Sequence, residues 1–188
     1  MAELWFVTGG ARSGKSAHAE RLAAATGRAV TYIATMEPLD EELVRRVAAH
    51  RAARPADWVT VEAPLDPVTA LAAADPDCCA VLDCLSLWVG NRMGPLGETP
   101  DAGDLARLEA ELSADVARLV EAARGRTGET VVVTNEVGSG LVPPYPLGRA
   151  YRDVLGRVNQ QVSAAADRAW LLVSGRALEL PPAGPPLA

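Results

Sequence analysis

The chain has little of what several protein classes depend on. It contains 3 cysteines in 188 residues, Cys78, Cys79 and Cys84. The number is odd, no histidine lies beside them, and their spacing is not that of a zinc site. A disulfide framework does not fit this count, and the three read as small buried hydrophobes. Positive charge is also short: 18 Lys and Arg against 24 Asp and Glu leave a net charge of −6. That is the wrong sign for gripping a phosphate polymer, so no nucleic-acid partner is expected. No stretch approaches the roughly eighteen apolar residues of a membrane span. The first residues enter a strand at once, without the basic segment and apolar core of a secretion signal. The expectation is a cytoplasmic protein with no membrane span.

What is present suits a soluble α/β protein. Hydrophobic residues make up 49% and charged residues 22%, enough for one well-buried core in one domain. Strand signals fall at residues 4–8, 29–34, 58–62, 79–83, 130–134 and 169–174, with a short seventh at 177–180 expected as an antiparallel edge. Helix signals lie between them at 16–26, 40–53, 68–74, 104–124 and 147–166. Gly27 would stop the first, and Asp66-Pro67 supplies an N-cap and a first-turn proline for the third. In the two longest, Leu105, Leu108, Leu112, Val116 and Leu119, then Tyr151, Leu155, Val158 and Val162, recur at steps of three and four. These stripes mark core faces. The alternation predicts a three-layer fold around a mostly parallel sheet of about seven strands with one antiparallel edge strand. Residues 1–180 would form the single domain, and the Pro-rich stretch 181–188 a loosely packed tail. Residues 94–103 read as a surface excursion, and 135–146 as a loop dense in Gly and Pro.

The strongest signal is Gly9-Gly10-Ala11-Arg12-Ser13-Gly14-Lys15-Ser16, which follows the apolar run Leu4-Trp5-Phe6-Val7. It fits G-x-x-x-x-G-K-[ST], a phosphate-binding loop between strand and helix. Glycines let the backbone wrap a triphosphate with its N–H groups inward. Lys15 would sit at the β- and γ-phosphates, the Ser16 hydroxyl would bind Mg²⁺, and the helix would turn its positive end to the same anion. ATP or GTP is the expected substrate.

In open α/β sheets, ligands bind beyond the carboxyl ends of the strands. Thr35 and Glu37, Glu62, Asp83, and Asn135 with Glu136 follow or end strands and would face that crevice. Asp83, after Ala80-Val81-Leu82, is placed as the metal-holding carboxylate of a phosphate-loop enzyme. A second cluster is His50-Arg51-Ala52-Ala53-Arg54-Pro55. On spacing alone, a histidine near a helix C-terminus suits a structural role. It also suits a nucleophile toward an α-phosphorus, with two arginines to neutralise phosphate oxygens. His18, inside the first helix, reads as a packing or helix-surface residue.

Five stretches together resemble the bifunctional adenosylcobinamide kinase / adenosylcobinamide-phosphate guanylyltransferase family of cobalamin biosynthesis. They are GGARSGKS with the following HAE, then YIAT, HRAARPADWVTVE, LDCLSLWVGN, and VTNEVGSGLVPPYPLGRAYRDVLGRVNQQVSAAADRAWLLVSG. They run in the family's order from residue 9 to residue 175. The resemblance implies a RecA-like phosphate-loop sheet in a homotrimer and two reactions at one nucleotide site. Adenosylcobinamide is phosphorylated from ATP or GTP. GMP is then moved from GTP onto that phosphate, giving adenosylcobinamide-GDP and pyrophosphate. The resemblance makes His50 the residue that carries GMP as a phosphoramidate, while Lys15 of the loop is the second catalytic residue, expected to neutralise charge as the γ-phosphoryl is transferred. It matches Gly9, Gly10, Ala11, Arg12, Ser13, Gly14, Lys15 and Ser16, then Ile33, Ala34 and Thr35, then Arg51, Ala52, Ala53 and Arg54, and finally Glu62 and Asp83, to nucleotide contacts. Asp83 stands where some relatives carry Glu, and Ala49 where some carry a second histidine. The partners implied are adenosylcobinamide and its phosphate. Pro38 and Gly27 flank the His50 helix, and it is expected to swing toward the nucleotide once GTP is bound.

Two other readings remain at this level. A phosphate-loop kinase for a small metabolite would use ATP, form no covalent nucleotide and leave His50 structural. A non-catalytic GTP switch would need an N-K-x-D guanine motif, and Thr134-Asn135-Glu136-Val137 lacks its lysine and aspartate.

Overall fold

Seven strands form one sheet in the order β3-β2-β4-β5-β1-β6-β7. They are β1 (Leu4–Gly9), β2 (Val30–Ala34), β3 (Val59–Glu62), β4 (Cys79–Asp83), β5 (Thr130–Val133), β6 (Arg168–Val173) and β7 (Arg176–Leu180). Only β6 and β7 pair antiparallel, through a turn at Ser174-Gly175. The structure is a computed structural model that describes residues 2–37, 45 and 54–184. Five α-helices lie among the described residues: α1 (Lys15–Ala25), α2 (Pro67–Ala73), α3 (Leu85–Met93), α4 (Ala102–Arg124) and α5 (Pro146–Ala165). None is long and apolar enough to cross a membrane. The phosphate-loop sheet with one antiparallel edge strand is the architecture that the alternating pattern predicts. The helix expected at 40–53 lies outside the described residues, Arg45 excepted.

Strand periodicity sorts side chains onto two faces. Leu4, Phe6, Ile33, Ala80, Leu82 and Val132 pack under α2 to α5 with Leu112, Val116, Leu119, Leu155, Val158 and Val162. The other face carries Val7, Tyr32, Cys79, Val81, Val131, Val133 and Trp170, against Ala19 and Ala23 of α1. Small residues on α1 let the helix lie close to the strands. The helical stripes of α4 and α5 are core faces as expected, with Leu105 and Tyr151 at the margin. All three cysteines are free and buried.

α3 is not among the helices read from the sequence, although Leu85, Trp88, Val89 and Met93 are spaced as a helical stripe and are buried. Its polar groups tie neighbouring loops to the sheet edge. Trp88 Nε1 donates to the Leu65 carbonyl at 3.1 Å, and Asn91 Nδ2 donates to the carbonyls of Thr35 and Pro64 at 2.9 and 3.0 Å. Arg92 pairs with Glu111 and Asp115, fastening α3 to α4. The stretch 94–103 is short: a 3-10 turn (Gly94–Leu96) precedes α4, whose first turn Asp101 caps through the Gly103 N–H at 2.7 Å. At the opposite sheet edge, buried Arg126 donates to the carbonyls of Leu71, Ala74, Asp75 and Cys78 at 2.8–3.3 Å. It thereby satisfies acceptors at and beyond the C-terminal end of α2.

Candidate nucleotide site

The loop between β1 and α1 closes on itself around one carbonyl. Gly10 O accepts from the Ser13 N–H at 3.3 Å and from Lys15 Nζ at 2.7 Å. Gly9 (φ 153°) and Gly14 (φ 97°) adopt backbone angles that L side chains rarely take. At Gly9 there is also no room, because a Cβ would stand 2.4 Å from the Leu172 carbonyl oxygen. Gly14 opens α1 without a side-chain cap, so N–H groups of the first turn are left for a ligand. Ser16 lies in that turn, and Ala11 and Arg12 are exposed on the outside of the loop. The turn between β6 and β7 backs the loop, with Gly175 N–H donating to Ser13 O at 2.9 Å. The final Val-Ser-Gly of the fifth stretch therefore has a physical role that the sequence did not disclose.

Lys15 is the only lysine in the chain; the other seventeen of its 18 Lys and Arg are arginines. Its placement in the loop was a signal available from counting alone. The side chain is buried, and burial pulls its ammonium below the usual lysine range, opposed by Cys84 and the Asp83 carboxylate. The hydroxyls of Thr8 and Ser13 are buried and make no hydrogen bond among the described residues. Buried hydroxyls seldom stay unpaired, so the loop has donors left for a ligand.

The strand ends add a row. Ala34 is in register with Glu62 on one side and with Asp83 on the other. Register partners in a parallel pair face the same way, so Glu62, Ala34 and Asp83 line one face of the sheet at the carboxyl ends of its strands, with Asp83 the member whose charge reaches Lys15 of the loop. Asp83 Oδ2 accepts a hydrogen bond of 2.5 Å from the Tyr32 hydroxyl. Thr35 is fully buried; its hydroxyl donates to the Cys84 carbonyl and accepts from the Cys84 N–H, both at 2.7 Å. Its own N–H donates to the Asp83 carbonyl at 3.0 Å. Thr35 thus locks the ends of β2 and β4 together. Ile33 points to the opposite face and is fully buried there, so only its backbone is near the crevice. Burial pushes the Cys84 thiol up to about 11, with help from the Asp83 charge.

Arg54 belongs to the same neighbourhood. Its guanidinium lies 3.4 Å over the Tyr32 ring, and its Nε is 3.5 Å from Glu20 of α1. His50, Arg51, Ala52 and Ala53 lie outside the described residues, as do the expected swing of their helix and its Pro38 flank. His18 packs edge-on to Trp170 at 5.7 Å, and burial, then the Arg21 charge, lowers its pKa. On the four-helix face, a groove of about 320 Å³ between α4 and α5 is lined by Glu109, Leu112, Arg157 and Val158 among others and contains none of these site residues.

Comparison with known proteins decides the family. The profile of the cobinamide kinase / cobinamide phosphate guanyltransferase family matches residues 5–180. The chain belongs to this family. It is similar to the bifunctional adenosylcobalamin biosynthesis protein CobU of Escherichia coli (strain K12), with 43% identity over 90% of this chain and 94% of that one. It is likewise similar to the bifunctional adenosylcobalamin biosynthesis protein CobP of Pseudomonas aeruginosa, with 42% identity over 96% and 98%. Among solved structures, an ATPase from a bacterial type III secretion system superposes with a TM-score of 0.59 at 12% identity. That superposition covers 91% of this chain and about half (51%) of the other. Such a likeness concerns the fold alone.

Proposed function

We propose that the chain carries out both steps of its family at the site around Gly9–Ser16: it phosphorylates adenosylcobinamide from ATP or GTP, then transfers GMP from GTP to the product through a guanylyl group on His50. The observation that carries this reading is the juxtaposition of a self-closed phosphate loop with the Glu62–Ala34–Asp83 row at the carboxyl ends of the strands, in a chain of this family. In the kinase step, the loop N–H groups and Lys15 neutralise charge that gathers as the γ-phosphoryl leaves for the corrinoid hydroxyl. In the second step, a neutral His50 nitrogen attacks the α-phosphorus and the bond to the β-phosphate oxygen breaks. Pyrophosphate departs against the same loop, and the corrinoid phosphate then displaces the imidazole. Arg51 and Arg54 are assigned to phosphate oxygens, Glu62 to the guanosine, and Ala34 and Thr35 to the nucleotide-facing edge. Ile33, Ala52 and Ala53 contribute through backbone.

The Ser16 hydroxyl and the Asp83 carboxylate are hard oxygen donors of the kind Mg²⁺ takes. Among the described residues no group of three or more His, Cys, Asp or Glu could hold a metal alone, so the ion would share its shell with triphosphate oxygens. Bound there, it would offset negative charge on the transferring group. For the corrinoid, the loop before α5 offers Leu141, Val142 and Tyr145, all exposed apolar side chains, beside Arg149 and Arg152. An apolar surface edged by cations suits a large phosphorylated ring system. The same reading takes residues 1–180 as the catalytic domain, 181–188 as an appendage, a homotrimer as the assembly and the cytoplasm as its place.

Incubation with GTP labelled at the α-phosphate tests the second step. The wild-type protein is expected to take up acid-labile, base-stable label, and His50→Ala none. A wild-type protein that stays unlabelled while phosphorylating a small acceptor would favour the simple kinase.

A further inference from the structure

Tyr32 sits mid-strand in β2 on the α1 face, 2% exposed, beside Val30, Val81 and Val133. A phenylalanine would fill that space without burying a hydroxyl, which costs free energy unless paired. The hydroxyl is paired with one group, Asp83 Oδ2. The register explains the reach: Tyr32 is opposite Val81, and Asp83 lies two residues further along the same face of the neighbouring strand. The ring is used as well. Arg54, its side chain 9% exposed, lays its guanidinium over that ring and pairs with Glu20 from the phosphate-loop helix. One side chain therefore touches both the carboxylate at the end of β4 and the residue that closes the 50–54 stretch.

We propose that Tyr32 is a positioning residue for both transfer steps, its hydroxyl setting the orientation of the Asp83 carboxylate and its ring seating Arg54. This rests on the reading of Asp83 as a metal carboxylate and of residues 50–54 as a nucleotide segment. A hydrogen bond to one oxygen of a ligating carboxylate fixes its rotation and so which oxygen faces the ion. A phenol is protonated at neutral pH, so the hydroxyl donates to that oxygen. A cation over an aromatic face in a desolvated site is attracted by the ring's quadrupole, which keeps Arg54 beside α1.

The two functions separate by substitution. Tyr32→Phe keeps the ring and loses the hydroxyl; Tyr32→Leu loses both. Binding of Mn²⁺ is measured by water-proton relaxation in the full-length protein, with a GTP analogue methylene-bridged between the α- and β-phosphates. Tyr32→Phe is expected to raise the Mn²⁺ Kd roughly tenfold, with analogue affinity in EDTA unchanged. In an Asp83→Asn background the same substitution should add nothing, a coupling that a merely structural role would not produce. Excess Mn²⁺ should restore His50 labelling from GTP in Tyr32→Phe but not in Tyr32→Leu. An unchanged Mn²⁺ Kd in Tyr32→Phe, an equal effect with and without the Asp83 carboxylate, or identical labelling of the two variants at saturating Mn²⁺ would overturn the proposal. Absence of label on the wild-type protein would count against the guanylyltransferase reading, and the Mn²⁺ cycle would still decide for or against the hydroxyl.

Discussion

The two faces of the sheet are built from alternate residues of the same strands, yet they do different work. Under α2 to α5, the strands present Leu4, Phe6, Ile33, Leu82 and Val132 to two long apolar helix stripes. This face is where folding free energy is gathered, since buried apolar area is the main favourable term. On the α1 face, β2, β4 and β3 end in Ala34, Asp83 and Glu62, and the buried ammonium of Lys15 feels the Asp83 charge. Desolvated charge is costly to hold there, and the loop keeps hydroxyls unpaired. Separating the two lets one face tolerate an electrostatically demanding site because the other is well packed.

That contrast can be broken in order of size. Lys15→Ala should lower both transfer steps by about a thousandfold while thermal stability hardly changes, because a buried cation is removed together with its desolvation cost. Gly9→Val should abolish nucleotide binding, since its Cβ would meet the Leu172 carbonyl at 2.4 Å; equilibrium dialysis with GTP reads this directly. On the opposite face, Leu155→Ala should cost about 3 kcal/mol and roughly 10 °C in Tm, with KM for GTP unchanged. Arg126→Leu strands several carbonyl acceptors and should cost about 2 kcal/mol, again without an effect on KM.

The smallest effect is expected at the N-cap of α2. Asp66→Ala should cost about 1 kcal/mol at neutral pH. The Thr69 hydroxyl and then its N–H hold the Asp66 carboxyl below the usual carboxylate range. Its contribution is therefore full above about pH 4 to 5 and is lost as pH falls through the lowered value. The gap between wild type and variant in denaturant midpoint should close on acidification. A gap that widens would contradict the cap.

The fold was legible where periodicity and turn chemistry agree. The seven strands, the Asp66-Pro67 start and the stripes of α4 and α5 all carry one local signal that the tertiary structure reinforces. α3 was missed because nine residues between a strand end and a glycine-rich loop are too short to announce a period. Its stripe of Leu85, Trp88, Val89 and Met93 shows only when they are counted as a helix. In the candidate site, the loop and Asp83 could be singled out from the sequence because phosphate binding demands particular residues at particular spacing. Tyr32, Asn91 and Gly175 were not assigned roles, because each acts through register or a backbone contact with residues distant in sequence. Thr35 was placed at the nucleotide; its hydroxyl is engaged by Cys84, a pairing that no local pattern encodes.

The central claim is that one loop serves two transfers and that a single imidazole carries GMP in the second. Supplying His50→Ala with adenosylcobinamide, ATP and GTP, and resolving the corrinoid products chromatographically, tests it most directly. The phosphorylated corrinoid should accumulate at near wild-type rate while no adenosylcobinamide-GDP appears. Continued formation of the GDP derivative by that variant would contradict the account.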